Sequence, residues 1–307
     1  MNRRDFVRSS LGAVVATQAP PPAKSRVVIA RDRAPAAPLR LPVLLDRSLQ
    51  AFYNRDTPLE AWKQVARPGE IIGLKVNCLA GRGAASTSPA LVEAVCERLR
   101  QAGIAAKDIL VFDRLSDDLE SAGFHIADRP GRIRVLGNDV LGYEDELAIY
   151  GSAGSLLSKA LTRVCDGVIN LPVLKNHSIA GVTLALKNLF GAIHNPNKYH
   201  TNAGNPYIAD VYMLPPIRRK VRLAVCEAVT AQYEGGPSYM PQWSWPFHGL
   251  LVARDPVALD HTGWRIIEHK RAEKGLKPLD PRPDYIATAA ARGIGTNDPR
   301  RIERLEV

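Results

Sequence analysis

Short apolar runs alternate with amphipathic stretches along most of this chain. Residues 70–77 (EIIGLKVN), 109–113 (ILVFD), 132–136 (RIRVL), 167–175 (GVINLPVLK), 222–228 (RLAVCEA) and 249–253 (GLLVA) read as strands. Most of these runs are apolar at successive positions, which predicts strands buried on both faces. Pro172, inside the fourth run, demands a bulge or an edge position because it has no N–H to give. The segments between carry helical spacing. Residues 44–67 place Leu45, Leu49 and Phe52 on one face, with Trp62 further on. Ser88-Pro89 offers an N-cap and a first helical position, and Gly103 a stop. Helices are also predicted over residues 115–122, 155–165 and 179–190, from Asp255-Pro256 to about residue 274, and over about 283–292. Residues 139–153 show no clear period, and residues 194–206 (HNPNKYHTNAGNP) form a long polar loop.

Strands alternating with helices predict an α/β fold, with a largely parallel sheet covered on both faces and built from βα units. The expected organisation is a head over residues 1–19, a Pro- and Ala-rich tether over 20–43, and a single domain over 44–307. A short strand is expected inside the tether at residues 25–30 (SRVVIA).

Composition narrows the class. The 307 residues are 46% hydrophobic, yet no apolar run is long enough to span a bilayer as a helix. The formal charge is +10, and its basic residues are scattered without a recognition motif, so no nucleic-acid partner is expected. The head reads NRRDFVR and then SSLGAVVA. Arg3-Arg4, Phe6 and the weakly apolar stretch resemble a twin-arginine export signal, with Val14-Val15-Ala16 as a small-residue cleavage site. That resemblance implies a periplasmic or extracytoplasmic location and the export machinery as a partner. Cys78, Cys96, Cys165 and Cys226 contain no C-x-x-C pair, so neither an iron–sulfur cluster nor a zinc ribbon is expected. Cys96, Cys165 and Cys226 sit among apolar residues and read as buried thiols. Gly81-Arg82-Gly83 lacks the third glycine of a dinucleotide fingerprint, so NAD is not expected, and no G-x-S-x-G occurs.

In open parallel sheets, ligands bind beyond the carboxyl ends of the strands. Here those ends carry Lys75 and Asn77, then Asp113 and Arg114, then Lys175, Asn176 and His177. A lysine closing a buried run must find an anion or lose its charge. Lys187-Asn188 and the loop histidines follow. The expected site is therefore a small-anion site formed by Lys75, Asn77, Lys175, Lys187 and Asn188. His177 is the general acid–base candidate, and Asp113 would orient a lysine or hold a metal. A single divalent metal held by His177, His194 and His200, with Asp113 or Asp260 as carboxylate, is a further expectation. Structural roles remain open at each position: polar groups belong at strand ends, Asp260 can cap as well as catalyse, and the aromatics from Tyr233 to Phe247 can pack down or form a lid. Convergence also has a condition. Lys187 follows Lys175 by 12 residues, and a straight helix would carry it up to roughly 18 Å away. The segment must therefore be short, tilted or broken near Gly181.

VNCLAG, STSPALVEAVCERL, ILVFDR, INLPVLKNHSIAGVTLALKNLFGAIHNPNKYH, AQYEGGP and LLVARDPVALDHTGWRIIE together resemble the domain-of-unknown-function 362 family over about residues 68–298. Relatives in that family often place His where this chain has Ser88, and some carry ferredoxin-like modules that this sequence does not match. A distant, fold-level similarity to the amino-terminal domain of the nickel-pincer lactate racemase family assigns no chemistry. The leading expectation is an exported α/β protein that acts on a small anionic molecule as an enzyme or cofactor handler. The alternative is a non-catalytic module that binds a metal or a partner.

Overall fold

The computed structural model describes residues 24–32 and 40–307. The expected head and much of the tether lie outside these residues. The strands are β1 (Ser25–Arg31), β2 (Ile72–Lys75), β3 (Ile109–Asp113), β4 (Arg134–Gly137), β5 (Ala148–Tyr150) and β6 (Ala153–Ser155). They continue with β7 (Gly167–Asn170), β8 (Val173–His177), β9 (Gly181–Thr183), β10 (Val221–Gln232), β11 (Ser244–Ala253) and β12 (Ile302–Glu306). The main sheet runs β12-β1-β11-β10-β7-β2-β3-β4, with β8 pairing β10 and β9. β4, β3, β2, β7 and β10 are mutually parallel, and β11 is antiparallel to both β10 and β1. β5 and β6 form a separate hairpin.

Successive side chains on a strand face opposite sides, and the core follows that rule. Val27, Ile29, Leu110, Phe112, Ala224, Cys226 and Leu251 join one apolar cluster. Val28, Ala30, Ile109, Val111, Leu223, Val225 and Leu250 join the other. Helix Pro256–Glu273 covers the first face through Val257, Ala258 and Ile267. Helices Leu41–Tyr53 and Pro89–Gln101 cover the second through Leu45, Leu49, Leu91, Val95 and Leu99. The sheet is thus largely parallel and doubly covered, as the apolar runs predict.

Local chemistry sets the ends of these elements. Ser88 Oγ accepts from Leu91 N at the helix start, and Asp255 Oδ1 accepts from Val257 N and Ala258 N. Ser25–Arg31, inside the segment read as a tether, is a strand of the main sheet between β11 and β12.

The other departures from expectation are physical in origin. The run 167–175 is two strands: Leu171 N bonds back to Lys75 O, Pro172 interrupts the ladder, and β8 leaves β7 to run between β10 and β9. The helix expected over 179–190 is replaced by β9 and one short helix, Ala185–Asn188. Gly181 adopts φ +77°, and a Cβ there would lie 2.8 Å from Pro281 O, so the chain reverses instead of continuing in a helix. Residues 155–165 contain the end of β6 and then a short π-helix, Ala160–Val164, so the expected helix is confined to the second half of that stretch. Helices Tyr207–Met213 and Pro215–Lys220 and strand β12 were not expected.

Candidate functional site

The carboxyl ends of β2, β3, β7 and β8 meet above the sheet, and each brings a polar side chain. Lys75 closes β2 and is 1% exposed. Its Nζ donates to Asp113 Oδ1 at 2.7 Å and to Val76 O at 2.6 Å, and approaches Asn188 Oδ1 at 3.5 Å. Asp113, closing β3, is equally engaged. Its Oδ1 also accepts from Arg114 N, and its Oδ2 accepts from Cys78 N, both at 2.8 Å. A buried ion pair survives only when its remaining hydrogen-bonding capacity is filled, and this one meets that condition. Asp113 therefore orients Lys75, one of the two roles expected of it.

A second lysine joins through asparagines. Lys175 Nζ donates to Asn77 Oδ1 at 2.9 Å, Ala85 O at 2.6 Å and Pro237 O at 3.1 Å. Those three bonds use every proton the ammonium has, so Lys175 fixes Asn77 and has nothing left for a ligand. Asn77 Nδ2 in turn donates to Asn188 Oδ1 at 2.9 Å, and Asn188 Nδ2 donates to Asn170 Oδ1 at 2.7 Å. Lys75, Asn77, Asp113, Lys175 and Asn188, up to 113 positions apart, form one hydrogen-bonded network. Gly191 closes over it: a Cβ there would lie 2.5 Å from Asp113 Oδ1 and 2.7 Å from Lys75 Nζ.

The network floors a cavity of about 80 Å³ whose wall includes Lys75, Asp113, Arg114, His177, Lys187, Asn188, Phe190 and His200. Lys187 is the lysine with spare donors. It is 7% exposed, its Nζ lies 3.0 Å from His200 Nε2 and 4.8 Å from the centre of the Phe190 ring, and among the described residues no carboxylate pairs with it. Burial first, and the Lys175 charge second, push its pKa down to about 7. The β8–β9 reversal, in place of a helix, is what returns Lys187 to the strand ends. Asp260, fully buried, accepts from Ala185 N at 2.7 Å and Leu186 N at 3.1 Å and caps the short helix bearing Lys187 and Asn188.

The histidines sort themselves. His177 Nδ1 accepts from Ile179 N at 3.1 Å and Ala180 N at 3.3 Å, so the neutral ring carries its proton on Nε2. Burial, then Lys187 and His200, push its pKa down to about 2. His177 consequently offers an N–H and has no free lone pair, so of the acid–base role expected of it this tautomer leaves a hydrogen-bond donor. His200 Nδ1 faces Asn197 O at 3.2 Å and must donate to it, leaving Nε2 to accept from Lys187. His177 and His200 stack with centroids 5.7 Å apart, whereas His194 is exposed and packs edge-on to Tyr143. Among the described residues no group of three or more His, Cys, Asp or Glu side chains is placed to hold a metal ion. The three-histidine metal set is therefore not assembled.

Asn170, Gly191 and Thr87 were missed by the sequence reading. Asn170 ends an apolar run just as Asn77 does, and that signal was available. Thr87 Oγ1 accepts from Asn77 N and donates to Leu171 O, a bridge that spacing does not show. All four cysteines are free and buried, Cys78 included. The aromatic loop packs down: Tyr233 is buried under Trp243 and Trp245, and the loop gives the cavity wall only Pro237.

The family model described as Domain of unknown function (DUF362) matches residues 72–265, well over half of the chain. The chain belongs to the DUF362 family. Every residue of the network and the cavity wall lies inside the DUF362 segment, while β1 and β12, which complete the sheet, lie outside it. No curated protein matches the sequence. Among solved structures, a Thermotoga maritima protein determined as a structural genomics target is similar at 9% identity and a TM-score of 0.45. The alignment covers 70% of this DUF362 chain and 59% of that one, so this chain spans less than two thirds of its length. No helix among the described residues is long and apolar enough to cross a membrane.

Proposed function

We propose that this DUF362 protein binds a small carboxylate in the strand-end cavity, with Lys187 meeting its charge. One observation carries the reading. Of the three buried lysines near the strand ends, two have their ammonium groups filled by protein acceptors, and Lys187 faces the cavity with no carboxylate partner among the described residues. The Nε2–H of His177 and the guanidinium of Arg114, held loosely at 3.6 Å from Asp118, are further donors in the same wall. A cavity of about 80 Å³ is far below the several hundred Å³ of a cofactor or drug-sized pocket, which favours a ligand of a few heavy atoms. The location we propose is extracytoplasmic, after export by the twin-arginine route. Its support is the Arg3-Arg4 head, which lies outside the described residues.

Thermal melting with L-lactate as the probe tests the reading. At about tenfold over its Kd, a ligand of the native state adds about 1.4 kcal/mol, which in a chain of this size raises Tm by a few degrees. That rise should appear in the wild-type protein and vanish in Lys187→Met. No rise, or an equal rise in the variant, contradicts the proposal.

A further inference from the structure

Carboxylate binding alone does not explain why the buried Lys187 amine is paired with an imidazole lone pair. A lysine kept only for charge is best served by a carboxylate or by solvent. Lys187 instead donates to His200 Nε2, and the tautomer of His200 is fixed by Asn197 O, so the imidazole is set to receive a proton from the amine. Resting on the carboxylate reading above, we propose that the ligand is a small 2-oxo acid and that Lys187 Nζ forms an imine with its carbonyl carbon.

The chemistry balances without an oxidant or a metal. The lone pair on Lys187 Nζ attacks the carbonyl carbon, forming the C–N bond, and the carbonyl π pair moves to oxygen. One proton leaves the nitrogen for His200 Nε2 and is returned to the oxygen, giving a carbinolamine. Loss of that oxygen as water, with the second nitrogen proton, leaves the C=N bond. The Nε2–H of His177 is the donor available to the developing oxyanion. Once Lys187 is committed to the carbonyl, Arg114, 3.6 Å from Asp118 in the same wall, takes over the carboxylate's charge. A 2-oxo acid offers these two groups on adjacent carbons, within the small volume present. The amine must also be uncharged to attack, and burial, which lowers its pKa to about 7, favours that form.

The experiment is reductive trapping of the whole exported protein with pyruvate and cyanoborohydride at about neutral pH, read by peptide mapping of the reduced adduct. Lys187 should be modified at least about tenfold faster than any surface lysine, because exposed amines stay protonated there. Excess L-lactate should block that modification, and His200→Gln should slow it at saturating pyruvate. Mapping on the wild-type chain identifies the reacting lysine directly, so the result does not depend on a Lys187 variant folding. Protection by lactate with no adduct on Lys187 overturns the imine and leaves the carboxylate site standing. Absence of both protection and adduct overturns both. Adducts confined to surface lysines overturn the imine.

Discussion

Lys175 and Lys187 are of one residue type, end up above the same sheet edge, and are both held near pKa 7 by burial. Their partners separate them. Removing the Lys175 ammonium would leave Asn77 Oδ1, Ala85 O and Pro237 O without a donor. Unpaired buried acceptors cost about 1–3 kcal/mol each, so Lys175→Met should lower Tm markedly around neutral pH. Lys187 has one nitrogen acceptor and an aromatic face, so Lys187→Met should behave differently. The folded chain holds the Lys187 proton with a pKa of about 7, against 10.5 ordinarily. Between those values the unfolded chain binds more protons, so this group's penalty on stability is full below about pH 7 and fades as pH rises toward 10. Chemical denaturation across that range should show Lys187→Met gaining stability relative to wild type at low pH, with the gain shrinking as pH rises. A gain that grows with pH would contradict the placement of Lys187.

At the scale of elements, the site depends on how closely one backbone segment can approach another. The turn Leu189–Ala192 lies against the Lys75–Asp113 pair only because residue 191 has no side chain. Gly191→Ala would push a methyl group into that pair, and overpacking of this kind costs about 1–3 kcal/mol. Denaturation midpoints should fall accordingly, and lactate protection should weaken because the cavity wall is displaced. The elements also show what the sequence made legible. The ends of β2, β3 and β8 could be read because each apolar run stops at a charged or amide residue, and Lys75, Asp113 and Lys175 meet as the strand-end rule requires. The reversal at Gly181 was visible only as a condition for convergence. Alternation of apolar residues over 179–190 suits a helix as well as a buried hairpin, and close packing against Pro281 and Pro283 decides between them. The distinction between a filled and an unfilled lysine was not legible at all. It depends on the backbone carbonyls of Ala85 and Pro237, whose positions no side-chain pattern encodes.

For the whole molecule, the family segment needs its flanks. β1 lies between β11 and β12, and Val27 and Val28 are fully buried on opposite faces. Any amino-terminal processing must therefore leave Ser25 onward intact. A cut after Ala16 does so, and amino-terminal sequencing of protein recovered outside the cytoplasm should begin upstream of Ser25. Replacing Arg3-Arg4 with Lys-Lys should hold the protein in the cytoplasm, because the export receptor reads the guanidinium pair. Unchanged fractionation of that variant would remove the extracytoplasmic assignment while leaving the cavity chemistry untouched.

The central claim is that Lys187 is the uncommitted amine awaiting a small carboxylate. Calorimetric titration with L-lactate at about pH 8, repeated in two buffers of different ionisation enthalpy, tests it most directly. At that pH Lys187, with its pKa lowered to about 7, is mostly unprotonated before binding, and an arriving carboxylate favours the charged form. The account predicts binding accompanied by uptake of most of one proton, an uptake that shrinks below about pH 6 and disappears in Lys187→Met. Binding without proton exchange that survives in Lys187→Met, or no binding at all, would contradict it.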